Sequence, residues 1–129
     1  MLRYYNLWLS IGWLLVLMVC YLSLISNPPG IDIEFKYIDK LGHFLSYFIL
    51  MAWFAQLYKT SRSRILYVLL FITMGAALEV LQGMGGSRFF EYGDMLANTT
   101  GVFVAWFITK GRLKNALLYF EQLVVKSTS

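Results

Sequence analysis

Charge is what this chain has least of. Only 14% of its 129 residues are Asp, Glu, Lys or Arg, while 59% are hydrophobic. That balance excludes an ordinary soluble domain of this size. There is one cysteine, Cys20, so an internal disulfide is excluded. The segment Leu17-Met18-Val19-Cys20 has a trace of a lipoprotein cleavage site. Val19 is too bulky for one, and the apolar run continues past Cys20, which reads as a small buried hydrophobe. The two prolines are adjacent, Pro28 and Pro29, so no helix elsewhere is interrupted by one. No basic stripe alternates with an aromatic platform, so the net charge of +4 gives no footing for nucleic acid. No internal repeat, low-complexity segment or nucleophile motif is present, and nothing in the residues asks for a cofactor.

What is present is long apolar runs. They cover 7–25, 39–58, 65–82 and 92–109. About 20 apolar residues cross a bilayer core, so four crossings use up most of the chain. Asn27-Pro28-Pro29-Gly30 stops the first run, Lys59-Thr60-Ser61-Arg62-Ser63-Arg64 joins the second to the third, and Gly83-Met84-Gly85-Gly86-Ser87 turns the chain into the fourth. From Arg112 to Val125 the pattern changes. Leu113, Ala116, Leu117, Phe120, Leu123 and Val124 recur at helical spacing with polar residues between them, the signature of a helix lying on a membrane surface. The expectation is an all-α, polytopic membrane protein with four transmembrane helices in 1–111 and a cytoplasmic amphipathic tail in 112–129.

Orientation follows from the basic residues. Arg3, Lys59, Arg62, Arg64, Lys110, Arg112, Lys114 and Lys126 fall on one side, and Lys36, Lys40 and Arg88 on the other. The positive-inside rule then places both termini in the cytoplasm of a bacterial inner membrane. All acids except Glu121 fall in the outer half.

Polar residues interrupt three of the runs toward that outer end. Asp39, His43 and Ser46 or Tyr47 recur on one face of the second run, and Glu79 and Gln82 lie on the third. Asp94, Asn98, Gly101 and Ala105 make a stripe on the fourth, whose small members permit close helix approach, as Gly75 and Ala76 do on the third. A carboxylate facing lipid costs about 2.5–3.5 kcal/mol at mid-membrane. The cheap arrangement aims all three stripes inward at one polar pocket.

In order and spacing these residues resemble the VanZ-like family of bacterial membrane proteins. The resemblance lies in Asp39-Lys40-x-x-His43 with Tyr47, then Glu79-x-x-Gln82, then Arg88-x-x-Glu91-x-x-Asp94-x-x-x-Asn98-x-x-Gly101. It covers residues 39–101, and Ala105 stands where a further glycine is expected. It implies a small multi-span fold and a link to resistance to the glycopeptide teicoplanin, without an established biochemical activity.

Three functional readings stay open on these residues. In the first, Asp39, His43, Glu79 and Asp94 perform acid–base chemistry on an anionic lipid head group or lipid-linked cell-envelope precursor, held by Lys40, Tyr47, Gln82, Arg88 and Asn98. In the second the same pocket binds or transports an amphiphile, in a homo-oligomer if it transports, since four spans are few for a transporter. In the third the polar groups only fix helix packing. Asp39, His43, Glu79 and Asp94 also have metal-ligand chemistry, but the spacing matches no recognisable metal motif.

Overall fold

The computed structural model describes residues 1–25, 33–84 and 92–129. Every regular element among them is an α-helix: α1 (Tyr5–Ile25), α2 (Ile33–Leu57), α3 (Ser61–Met84), α4 (Tyr92–Ile108) and α5 (Ala116–Thr128). α1 and α3 are long and apolar enough to cross a membrane. Only 17% and 33% of their apolar windows are buried, so most of that surface faces outward rather than into a core.

α2 is the centre of the bundle and touches the other four helices. Its buried face, Tyr47, Leu50, Met51, Phe54 and Ala55, meets Val68 and Phe71 of α3 and Val102 and Ala105 of α4. Phe54 anchors the aromatic packing, with ring centroids 4.8 Å from Tyr67, 5.1 Å from Trp13 and 5.4 Å from Phe71. The closest helix pair is α2 with α4. Gly101 permits it, since a Cβ there would collide with the Phe44 carbonyl oxygen.

Three boundaries differ from the hydropathy pattern. α2 starts at Ile33, before the apolar run at 39, because Glu34 and Lys36 end hydrophobicity without breaking helical hydrogen bonds. The connector expected over 59–64 is shorter. Thr60 caps α3, its Oγ1 accepting from the Ser63 N–H at 3.2 Å, so Arg62 and Arg64 belong to the first turns of α3. The tail becomes helical at 116, not 112, after a series of turns. Gln56 holds that junction, donating to the Leu113 carbonyl at 2.6 Å and accepting from the Leu117 N–H at 3.2 Å. Of the tail's apolar face only Leu117 is buried, while Phe120, Leu123 and Val124 are exposed.

Polar burial runs opposite to that of a soluble protein. Asp94, Glu79, Asn98, Gln82, Gln56 and Arg64 are inside, while leucines of α1 and α3 cover the outside.

Candidate functional site

The site is built where the N-terminal half of α2 crosses the first two turns of α4. Asp39 and Lys40 share one turn of α2, and His43 is on the next. Asp94 and Asn98 are one turn apart on α4. The Gly101 contact brings the two backbones close enough for these short side chains to meet.

Asp94 is fully buried, and its two oxygens have different neighbours. Oδ1 accepts from Lys40 Nζ at 3.1 Å, and Oδ2 lies 3.6 Å from His43 Nε2. Gly93 leaves room for the Lys40 side chain, since a Cβ there would stand 2.9 Å from its Cε. His43 Nδ1 lies 3.0 Å from Asn98 Oδ1. An amide oxygen only accepts, so Nδ1 carries the proton and donates. That hydrogen bond turns Nε2 toward the carboxylates, with Asp39 Oδ2 at 3.7 Å. Asp39, His43 and Asp94 each offer an atom within 4.8 Å of the other two.

Around this group the other expected residues take different places. Tyr47 is buried one turn below His43, against Gly75 of α3 and within electrostatic reach of Glu79. Glu79 is itself buried, one turn after Gly75 on α3. Gln82 turns to another helix. Its Nε2 donates to the Ser23 carbonyl in the last turn of α1, and its buried Oε1 has no hydrogen-bond partner among the described residues. Arg88 lies outside the described residues. Asp39, Lys40, His43, Asp94 and Asn98 are thus brought together, Tyr47 and Glu79 form a layer beneath them, and Gln82 ties α3 to α1.

A cleft of about 310 Å³ opens beside the group, between α1 and α2. Asp39, His43, Ser46 and Tyr47 give it a polar wall, and Met18 and Leu22 of α1 an apolar one. Sequence reasoning missed the α1 wall. Apolar residues in an apolar run carry no signal of which face lines a cleft.

The opposite end is basic. Arg64 is buried, donating to the carbonyls of Ala55 (2.8 Å), Tyr58 (3.0 Å) and Thr109 (3.2 Å). Lys59 lies between α2 and α3, where burial, with the charges of Arg64 and Lys114 adding to it, holds its ammonium below the usual lysine range.

No protein-family model, curated protein or solved structure matches this chain.

Proposed function

We propose that the chain is a four-span, VanZ-like protein of the bacterial inner membrane, with both termini in the cytoplasm. Its working part binds the head group of an anionic, lipid-linked amphiphile near the outer leaflet. The observation that carries this reading is the cleft between α1 and α2, polar on one wall and apolar on the other, with His43 and Asp39 at its polar wall. An amphiphile needs both walls, one for its chain and one for its head group. Supporting the four-span part, ionisable and amide groups of α2 and α4 are buried within the bundle while apolar side chains cover its outside. Supporting the orientation, eight of the eleven basic residues share the end opposite the cleft.

His43 also has the neighbours of a proton-transfer group. Its Nδ1–H is fixed by Asn98, and Nε2 faces two carboxylates. Binding is the activity the geometry favours, and proton exchange at Nε2 is the chemistry available to it. The structural reading has its own support in the Lys40–Asp94 ion pair and the His43–Asn98 hydrogen bond, both of which join α2 to α4.

Lipids retained by the purified protein separate these readings. Wild type is expected to carry an acidic or prenyl-linked lipid that Ser46→Trp, which blocks the cleft, and His43→Gln do not carry, with equal abundance in the membrane. Identical lipid complements in all three proteins would remove the binding reading. Teicoplanin susceptibility of cells expressing the same set then tests the resistance link. Labelling of a cysteine at Ser127, in a Cys20→Ser background, is expected from the cytoplasmic side alone. Labelling from outside reverses the orientation and with it the class of ligand.

A further inference from the structure

Asp39, His43 and Asp94 gather three metal-ligand side chains at one point between α2 and α4. Asp39 and Asp94 bring two carboxylates to one imidazole nitrogen, and Lys40 binds the far oxygen of Asp94. Because Nδ1 gives its proton to Asn98, a neutral His43 aims a lone pair at Asp39 Oδ2 and Asp94 Oδ2. The separations of 3.6 Å and 3.7 Å are long for hydrogen bonds from Nε2. They are close to the spacing of two ligands on one tetrahedral cation, about 3.4 Å for metal–ligand bonds of about 2.1 Å.

We propose that Asp39, His43 and Asp94 together ligate a divalent transition-metal cation, with its remaining coordination positions open toward the α1–α2 cleft. Each residue supplies one atom, and the three atoms lie within 4.8 Å of one another, close enough for side-chain adjustment to bring them onto one ion. The surroundings have the form that metal sites need. A ligating histidine ordinarily donates its other ring N–H to a carbonyl or carboxylate, which fixes the tautomer, and Asn98 does this for His43. Asp94 is in turn held by Lys40 through the oxygen that does not face the ion. One nitrogen and two carboxylate oxygens suit zinc or manganese better than a soft ion such as copper(I).

This inference rests on the binding reading above and supplies what that reading lacks. The cleft wall that carries Asp39 and His43 is where the head group would sit. A divalent cation held there adds positive charge and presents open positions to a phosphate or carboxylate oxygen.

The test is metal content of the full-length protein, purified in detergent, stripped with chelator, incubated with Zn²⁺ or Mn²⁺ and desalted. Wild type is expected to retain about one ion per chain, and His43→Gln and Asp94→Asn at least tenfold less under the same conditions. Circular dichroism and gel filtration verify that each variant is folded. Asn98→Ala, which keeps all three ligands but frees the ring, is expected to weaken affinity by about 10–100-fold. For wild type alone, metal is expected to raise the unfolding temperature and chelator to lower it. Wild type that retains no more metal than folded Asp94→Asn, or a wild-type unfolding temperature indifferent to both metals, overturns the site. Lipid retention measured on the same samples distinguishes the two claims. Metal taken up without lipid keeps the site and removes the lipid reading, and lipid retained without metal uptake does the reverse.

Discussion

Glu121 of α5 accepts the indole N–H of Trp8 in α1, at 2.5 Å, across 113 residues of sequence. The same carboxylate accepts the backbone N–H groups of Arg3 at 2.6 Å and Tyr4 at 3.0 Å. These donors sit at the start of α1, where a helix leaves its first N–H groups without internal partners and where its dipole favours negative charge. The last helix therefore caps the first, and the tail is docked rather than loose.

A pH dependence follows from that cap. Burial pushes the Glu121 carboxyl up, but the Arg3, Trp8 and Tyr4 hydrogen bonds and the terminal ammonium together outweigh it and hold it below its ordinary value of 4.5. A group whose pKa falls on folding stabilises the folded state above its unfolded pKa. That contribution is expected to be complete at neutral pH and to fade as pH falls below about 4.5 toward the lower folded value. Tryptophan fluorescence titrated through this range is the check, with Glu121→Gln expected to lose the transition. The substitution is expected to cost about 1–3 kcal/mol. A Glu121→Gln protein whose titration matches wild type would remove the cap from the account.

Gly101 is the contact on which the polar group depends. In Gly101→Ala the new methyl meets the Phe44 carbonyl, which is backbone and does not yield by rotating. α2 and α4 are expected to move apart at a cost of about 1–3 kcal/mol. The His43–Asn98 hydrogen bond should weaken with them. Thermal unfolding in detergent measures the first effect, and the imidazole proton resonance of His43 the second. An alanine protein as stable as wild type would show that the helices are less tightly opposed.

Arg64 is expected to behave as a structural residue in addition to contributing its charge to the basic end. Its guanidinium satisfies carbonyls near the ends of α2 and α4, a task for which the planar fork of arginine is suited and lysine is not. Arg64→Lys is expected to keep the charge, and hence the orientation, yet to unfold at lower temperature. Arg62→Lys, exposed on the same turn, is expected to change nothing. Equal unfolding temperatures for the two variants would contradict this division.

The Lys40–Asp94 pair predicts an order of stabilities. Lys40→Met leaves the buried Asp94 carboxylate short of a partner, which costs about 3–5 kcal/mol for a fully buried pair. The value here is expected at or below the lower end, because about a third of the Lys40 side chain is exposed. The double variant Lys40→Met/Asp94→Asn removes the carboxylate along with its cation and is expected to recover part of the loss. A double variant no more stable than Lys40→Met would show that the two side chains are not coupled.

The helices and their polar stripes were legible in the sequence because both are local properties. Apolar runs of bilayer length, and the i, i+4 spacing of Asp39 with His43 and of Asp94 with Asn98, need no knowledge of neighbours. Close approach of some helix to α4 was readable too, through the small residues that continue the Asp94 stripe, but that α2 is the partner was not. Other assignments were not. Gln82 looked like a member of the site and instead holds the end of α1. Arg64 and Glu121 looked like surface charges and are buried, Arg64 capping the ends of α2 and α4 and Glu121 the start of α1. Composition and periodicity determine which segments are helical and which face of each is polar. Which faces meet depends on contacts between residues far apart in the chain, such as His43 with Asn98 at 55 positions and Arg3 with Glu121 at 118. Those depend on how closely whole helices pack, a property that no single segment carries.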